Sequence, residues 1–249
     1  MSEILVTGGT GTLGRALVAR LGEQGHTPRV LSRKPGPGRV VGDLETDAGI
    51  AAAVRGVDAV VHASWRLGHD LAQARTLLDT ARAENVPHLV FVSIVGADRV
   101  PLPYYRDKIR IERMIADSGV PWTVLRATQF HDLLTTLFGV LGRSPVLPVL
   151  AGARFQPVDV RDVAARLAAL AAGPPAGRAP DLGGPQVRDM ADLARAWAAT
   201  TGRRRAVLPV RLPGRVARAV REGGLLAPAH ADGRVTFEEF LAARDEVAP

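Results

Sequence analysis

The sequence has 249 residues, of which 47% are hydrophobic and 23% are charged, so it can bury the core of a globular protein. It contains no cysteine, which excludes disulfide bonds, thiolate metal sites and a cysteine nucleophile. The formal net charge is +7, but only two of the 32 basic residues are lysine, so the charge reflects a chain-wide use of arginine. Aromatic residues, which could stack on bases, make up only 4% of the chain. Nucleic-acid binding is therefore not favoured.

Short β-branched runs alternate with amphipathic helical segments through the first half of the chain. This pattern is typical of βαβ units around a parallel sheet. Strands are predicted at residues 4–7, 28–32, 39–41, 58–62, 89–93 and 122–125, and helices at residues 12–24, 71–84 and 104–118. An α/β fold follows from this alternation.

The second half of the chain is less regular. Residues 139–157 are rich in glycine and proline and show few clear elements, and residues 155–163 are expected to return to the sheet. Helices are predicted at residues 160–172, 188–201, 213–222 and 236–244. We therefore expect a dinucleotide-binding domain over residues 1–165, with 126–155 partly in a substrate lobe, and a small, dependent C-terminal substrate lobe over residues 166–249.

The last predicted helix follows a segment that imitates half of an EF-hand loop, Asp232 to Glu239. Pro228 and His230 occupy the first two ligand positions, and neither suits an oxygen-liganded calcium ion. Thr236 with Glu239 three residues later instead predicts a capping box at a helix start. No metal site is predicted.

A glycine-rich turn follows the first predicted strand and opens the first predicted helix. It contains Gly-x-Gly-x-x-Gly at positions 9, 11 and 14, in the context that confirms a dinucleotide-binding motif. Such glycines allow a tight turn, close approach to a pyrophosphate and close packing of helix on strand. The free N–H groups and positive dipole end of the helix favour the phosphates. The residues predicted to bind the pyrophosphate are Thr7, Gly8, Gly9, Thr10, Gly11, Thr12, Leu13 and Gly14.

The end of the second predicted strand carries Ser32 and Arg33 and no carboxylate. An acidic residue at this position binds the ribose 2′-hydroxyl of NAD, whereas a basic residue suits the 2′-phosphate of NADP. Arg33 can clamp that phosphate, and Ser32 can donate a hydrogen bond. We therefore expect NADP(H) to be preferred over NAD(H).

A tyrosine and a lysine lie four residues apart at the start of the predicted helix over residues 104–118. Both tyrosines of the chain, Tyr104 and Tyr105, and Lys108, one of its two lysines, fall within five residues. Positions i and i+4 share one helical face, so Tyr104 and Lys108 can converge on one point. A nearby ammonium is expected to lower the pKa of the Tyr104 phenol and make it a usable acid or base.

Four motifs together resemble the atypical or extended short-chain dehydrogenase/reductase superfamily, in its NmrA-like NAD(P)H-binding branch. They lie at residues 7–14, 42–44, 104–108 and 157–163. The resemblance implies a Rossmann-type doubly wound parallel sheet with a small C-terminal substrate lobe. It also implies that Asp43 and Leu44 flank the adenine, that Ala63 and Ser64 line the cofactor, and that Lys108 holds the nicotinamide ribose beside a catalytic Tyr104. Residues 125–128 would approach the nicotinamide, although Ala127 stands where the family usually has proline.

A third catalytic member, a hydroxyl on the substrate oxygen, is less well defined. Ser93 ends the fifth predicted strand and is the candidate, but an alignment with extended reductases places this hydroxyl at Ile94. Adjacent strand residues face opposite sides, so Ser93 could line the cofactor instead. Gln129 and His131 follow the sixth predicted strand and are predicted to line the substrate.

Two functions from different classes stay open. The first is an NADP(H)-dependent oxidoreductase that moves hydride to or from a small carbonyl, quinone or enone. The second, favoured by Ile94, is a non-catalytic dinucleotide-binding redox sensor; an epimerase is disfavoured by Arg33. No secretory leader and no apolar run near the ~20 residues of a membrane span are present, so we expect a cytoplasmic protein with no membrane partner. Oligomeric state and substrate identity do not follow from the sequence.

Overall fold

The computed structural model describes residues 1–202 and 205–245. The elements, in chain order, are β1 (Glu3–Thr7), α1 (Thr12–Glu23), β2 (Thr27–Ser32), β3 (Arg39–Val41), α2 (Ile50–Val54), β4 (Ala59–His62), α3 (Asp70–Ala83), β5 (Leu89–Ile94), α4 (Pro103–Asp117), β6 (Trp122–Ala127), α5 (His131–Leu141), β7 (Val146–Leu150), β8 (Arg154–Phe155), α6 (Val160–Ala172), β9 (Gly177–Arg178), β10 (Arg188–Asp189), α7 (Met190–Thr200), β11 (Ala206–Val210), α8 (Arg215–Arg221) and α9 (Phe237–Asp245).

The chain forms two compact units. Unit 1 contains residues 1–93, 103–126 and 163–180, and unit 2 contains residues 94–102, 127–162 and those described from 181 onward. No helix within residues 1–202 and 205–245 is both long enough and apolar enough to cross a membrane.

Unit 1 is built on a seven-stranded sheet with the order β3-β2-β1-β4-β5-β6-β9. β1 lies between two parallel partners, so that Val6 is in register with Val30 of β2 and with Val61 of β4. The strand order reverses between β1 and β4, and ligands of such sheets bind beyond the carboxyl ends of the strands at this reversal. The predicted Rossmann-type parallel fold is confirmed.

The core of unit 1 explains why these segments adopt this fold. Alternate strand residues such as Leu5, Val60 and Phe91 are fully buried in it, as expected where side chains of a strand alternate between two faces. Helices α2, α3 and α4 contribute the other apolar side chains, including Leu77 and Ile111. The helical spacing of these residues places one stripe of each helix against the sheet.

The structure differs from the predicted elements mainly after residue 126. Helix α5 and strand β7 occupy the region where glycine and proline suggested few elements, and β7 pairs in parallel with β11, which was not predicted. Residues 155–163 were expected to return to the main sheet, and this was wrong at Phe155. That residue pairs antiparallel with Arg188 in a separate two-stranded sheet, so the helix predicted from 188 begins only at Met190.

Unit 2 closes with the predicted capping box. The Thr236 hydroxyl accepts a hydrogen bond from the Glu239 backbone N–H at 3.2 Å, and Glu239 accepts one from the Thr236 N–H at 2.8 Å. Helix α9 therefore begins at Phe237, as Thr236 and Glu239 indicate. This segment is a capped helix start, which confirms the interpretation of the EF-hand-like residues.

Candidate active site

Three glycines of the turn after β1 are required by the fold itself. Gly8 has φ +70°, and a Cβ there would lie 2.7 Å from the Ala63 carbonyl oxygen. A Cβ on Gly9 would lie 2.7 Å from the Val30 side chain, and one on Gly14 would lie 2.0 Å from the Gly8 carbonyl oxygen. These positions allow the turn to pack against β2, β4 and helix α1.

Gly11 differs from Gly8, Gly9 and Gly14 because it is exposed and a Cβ there would approach only one atom. The nearest atom to a Cβ on Gly11 would be the Gly8 carbonyl oxygen at 3.3 Å, and Gly11 is exposed together with Thr10 and Thr12. Gly11 is the N-cap of α1, and no side chain caps the helix. The first N–H groups of a helix lack partners within it, so this terminus is open to an anion.

The end of β2 presents two free cations. The Arg33 and Lys34 side chains are exposed, and neither has a hydrogen-bond or ion-pair partner among the residues that the structure describes. The Ser32 hydroxyl accepts a hydrogen bond from the Lys34 backbone N–H at 3.1 Å, which leaves its own hydrogen free to be donated. The charge at this strand end is therefore uncompensated and positive.

The residues expected beside the cofactor also lie in unit 1. Leu44 is buried, and the Asp43 carboxylate accepts a hydrogen bond from the Glu45 N–H at 2.9 Å. The Ser64 N–H donates to the Thr7 hydroxyl at 3.3 Å, and the same hydroxyl is hydrogen-bonded to His62 Nδ1 at 2.7 Å. Ala63 and Ser64 thus contact the glycine turn.

A polar network that sequence reasoning missed holds the loop after β4. The Ser64 hydroxyl donates to Gln73 Oε1 at 3.1 Å, and Gln73 Nε2 donates to Glu45 at 3.1 Å. Arg66 forms an ion pair with the same Glu45 carboxylate. The sequence offered one indication of this network, the position of Glu45 directly after Asp43 and Leu44. The partners of Glu45, Arg66 and Gln73, lie far away in the sequence.

Lys108 is buried and already paired. Its Nζ lies 3.1 Å from Asp70 Oδ2, 5.0 Å from the Phe91 ring centroid and 5.5 Å from the Tyr104 ring centroid. Burial lowers the pKa of Lys108, and the Asp70 carboxylate opposes that shift. Asp70 is the unpredicted member of this cluster, because the sequence shows only that it directly precedes the helix predicted from residue 71.

The pKa of Tyr104 is raised, which corrects the expectation of a lowered value. Burial is the largest cause, and the Asp70 carboxylate and Tyr105 add to it. The Lys108 ammonium lies over the Tyr104 ring, and Asp70 neutralises much of its field. The phenol therefore stays protonated near neutral pH.

Ser93 is held by a carboxylate on α4. Its hydroxyl donates to Glu112 Oε1 at 2.5 Å, and the Arg126 guanidinium binds both oxygens of Glu112, with Nε at 2.8 Å from Oε1 and NH2 at 2.6 Å from Oε2. Tyr104, Lys108 and Glu112 lie at i, i+4 and i+8 on one helical face, a spacing that could have identified Glu112. In this arrangement Ser93 can accept a hydrogen bond from a ligand but donates its own hydrogen to Glu112.

The two residues expected to line the substrate lie in unit 2. Gln129 is buried, and neither its side-chain oxygen nor its nitrogen has a hydrogen-bond partner within the described residues. His131 is fully buried, its Nε2–H donates to the Val235 carbonyl oxygen at 3.0 Å, and its ring packs 5.0 Å from the Phe240 ring centroid. Burial lowers the pKa of His131. His131 thus anchors the C-terminal segment, whereas Gln129 has unused hydrogen-bonding groups.

The parallel sheet, the glycine turn and the open α1 terminus define a dinucleotide-binding α/β protein. A model of a family described as NAD(P)H-binding matches residues 8–174, more than half of the chain. The chain belongs to this NAD(P)H-binding family. The prediction of an NAD(P)H-binding family is thereby confirmed.

Individual relatives agree with this family. The (4-alkanoyl-5-oxo-2,5-dihydrofuran-3-yl)methyl phosphate reductase of Streptomyces griseus is 33% identical over 197 residues, which cover 74% of this chain and 68% of that protein. The photosystem II assembly factor Ycf39 of Trieres chinensis is 29% identical over 182 residues, covering 65% of this chain, and the chain spans 57% of that relative's length. The NADPH-dependent quinone oxidoreductase of Escherichia coli, solved with NADPH, has a TM-score of 0.83 at 22% identity over 97% of this chain and 99% of that one. This last likeness shows a shared fold.

Proposed function

We propose that the protein is an NADP(H)-dependent oxidoreductase that transfers hydride to a small carbonyl, quinone or enone. The observation that carries this proposal is the exposed N-terminus of α1 at Gly11, which no side chain caps. These residues fit a pyrophosphate, because a Cβ at Gly11 would fill the space that the phosphates need. When bound, the dinucleotide supplies the hydride.

The preference for NADP(H) rests on Arg33 and Lys34. Both side chains are exposed and free of carboxylate partners among the described residues, so both can bind a 2′-phosphate without breaking an existing pair. The Ser32 hydroxyl can add a hydrogen bond. An NAD-selective site would instead present a carboxylate here.

Tyr104 is the proposed proton donor in this reaction. Burial and Asp70 raise the pKa of Tyr104, so the phenol is protonated at neutral pH and is a weaker acid than a free tyrosine. It can therefore give its proton to the strongly basic oxygen that hydride transfer to the substrate generates. Reduction of a quinone takes up one hydride and one proton and gives a hydroquinone. Lys108 is proposed to position the nicotinamide ribose, with Asp70 holding its ammonium. The reductase and oxidoreductase names of two relatives support the same reaction type.

A second candidate function is a redox sensor that binds the dinucleotide without turnover. Two pairs favour it, since Ser93 donates to Glu112 and Lys108 is bound to Asp70. Each pair occupies a side chain that the sequence predicts to belong to the active site. Under this alternative, NADPH would bind and no acceptor would be reduced.

The first experiment follows NADPH oxidation with a panel of quinones, enones and aliphatic carbonyls, next to NADPH titration by fluorescence. We expect saturable binding and turnover with at least one acceptor, and binding without any turnover would favour the sensor. Tyr104→Phe should abolish turnover while NADPH affinity stays nearly unchanged. Full turnover by Tyr104→Phe would contradict the role proposed for this residue.

A glycine pair tests the cofactor site itself. Gly11→Ala should weaken NADPH binding at least tenfold, because its methyl group occupies the phosphate space. Gly22→Ala is the matched control, because a Cβ on Gly22 in the same helix meets nothing within 4 Å. Equal NADPH affinity in both variants would place the pyrophosphate elsewhere.

The coenzyme preference is tested by Arg33→Ala against Arg75→Ala, an exposed arginine on α3. Loss of one charged phosphate contact should raise the Kd for NADPH about tenfold and leave that for NADH unchanged. Arg75→Ala should change neither Kd. A parallel loss of NADH and NADPH affinity in Arg33→Ala would show that Arg33 does not read the 2′-phosphate.

A further inference from the structure

Trp65 has an unusual position for an aromatic residue of this chain. The sequence has 3 Trp, 2 Tyr and 6 Phe, and within the described residues Trp65 is the one of these that is exposed, at 58%. A tryptophan can bury up to about 250 Å² of surface, so an exposed one forgoes a large hydrophobic gain. The exposure of Trp65 is therefore unusual among the Trp, Tyr and Phe residues that the structure describes.

The residues on both sides of Trp65 hold it outward. Ser64 is bound through its N–H to Thr7 and through its hydroxyl to Gln73. The Arg66 N–H donates to Asp70 Oδ1 at 2.6 Å, and its guanidinium is paired with Glu45. Both neighbours are thus anchored, which fixes the backbone from which the indole projects.

Trp65 also contacts the proposed proton donor. Its ring centroid lies 5.7 Å from that of Tyr104, with the two planes at 75°, so the rings meet edge to face. The preceding residues, Ala63 and Ser64, meet the glycine turn. The exposed indole is therefore placed between the proposed cofactor loop and the proposed proton donor, all within unit 1.

We propose that Trp65 is the stacking platform for a planar, electron-poor ring, so that the substrate class is a neutral quinone rather than a small aliphatic carbonyl. This inference rests on the proposed function and specifies its substrate. The electron-rich face of an indole attracts an electron-poor ring in an offset stack, and an aliphatic carbonyl offers no such surface. Covering the indole also recovers the hydrophobic contribution that its exposure forgoes.

The test compares 1,4-naphthoquinone with 2-cyclohexen-1-one as acceptors for Trp65→Ala. The KM for naphthoquinone should rise about five- to tenfold, while the KM for cyclohexenone and the Kd for NADPH stay unchanged. Trp65→Phe should restore most of the naphthoquinone affinity. Leu67→Ala is the matched control, because Leu67 lies in the same loop at 69% exposure, and it should change neither KM.

A second readout does not depend on turnover. Naphthoquinone should quench wild-type tryptophan fluorescence saturably, and the saturable part should be absent in Trp65→Phe. An unchanged naphthoquinone KM in Trp65→Ala, or unchanged saturable quenching in Trp65→Phe, would overturn the platform. A higher Kd for NADPH in Trp65→Ala would assign the indole to the cofactor instead. If wild type shows this quenching but oxidises no NADPH with any acceptor, the proposed enzyme activity fails and the ring-binding site stands.

Discussion

The glycine turn and the Tyr104–Lys108 cluster both belong to unit 1, yet their polar groups are in opposite states. At the turn, the α1 terminus is uncapped and the nearby Arg33 side chain is free of partners in the described residues. In the cluster, Lys108 is bound to Asp70 and Ser93 to Glu112. A site whose polar groups have no partner can bind a charged ligand directly. A site whose polar groups are already paired must break one of these interactions before the same groups can bind a ligand. The turn is therefore proposed to provide affinity, and the cluster to position groups.

The largest effect should come from breaking the buried pair of the cluster. Lys108→Met leaves the Asp70 carboxylate buried without its cation, and such a loss costs about 3–5 kcal/mol of unfolding free energy. Urea unfolding measures it. The double variant Lys108→Met/Asp70→Leu should recover most of this loss, because it removes both charges. If the single variant is as stable as wild type, the pair does not exist in solution.

Gly14→Ala should show that part of the glycine turn serves packing rather than binding. A Cβ at Gly14 would lie 2.0 Å from the Gly8 carbonyl oxygen, so the backbone must shift. We expect the free energy of unfolding to fall by about 3 kcal/mol. Gly22→Ala should be neutral or stabilising by up to about 1 kcal/mol. Thermal unfolding of both variants measures this loss of stability. Gly11→Ala should differ, because it should reduce the affinity for NADPH while the stability stays nearly constant. A stable Gly14→Ala protein would contradict the observed packing.

His62 interacts with both the glycine turn, through Thr7, and the Tyr104–Lys108 cluster, through the Lys108 charge. It should make the stability of the fold depend on pH in the acid range. Burial lowers its pKa to about 3 from 6.5, the Lys108 charge adds to this, and its ring is hydrogen-bonded to Thr7. The unfolded chain therefore binds a proton below pH 6.5 that the folded chain does not. The contribution of His62 to stability is complete above pH 6.5 and falls as pH drops towards 3, by at most about 1.4 kcal/mol per pH unit.

The measurement is the unfolding free energy of wild type and His62→Gln from pH 7 to pH 4. The glutamine variant cannot take up this proton, so its curve should be flatter in that interval. Buried His88 and His131 remain in both proteins, and the difference between the two curves isolates His62. Parallel curves would show that His62 titrates normally in the folded state.

The smallest effect is expected for Ser93→Ala. Loss of the hydroxyl removes one hydrogen bond to Glu112, and Glu112 keeps its ion pair with Arg126. We therefore expect the free energy of unfolding to fall by about 1 kcal/mol. Turnover should fall by less than about tenfold if Glu112 is the partner of Ser93 during the reaction. A loss of 100-fold or more at unchanged stability would assign Ser93 to catalysis. Thermal unfolding and NADPH oxidation together decide between these outcomes.

Prediction from the sequence worked where a local pattern has one structural solution. The alternation of strands and helices up to residue 126, the glycine turn and the Thr236–Glu239 capping box each depend on neighbouring residues, and the structure has all three. It failed for β7 and β11, because Val146–Leu150 contains a proline and gains its order from pairing with Ala206–Val210. Such a pairing has no signal in either segment alone.

The sequence by itself determined the parallel α/β fold and the glycine turn, because these follow from periodicity and from the conformations that glycine allows. Only the tertiary structure decided the state of the side chains around the turn. It paired Lys108 with Asp70 and Ser93 with Glu112, raised the pKa of Tyr104 and left Trp65 exposed. The physical reason is that burial and charge act through space, so partners distant in sequence determine whether a polar group is free or paired.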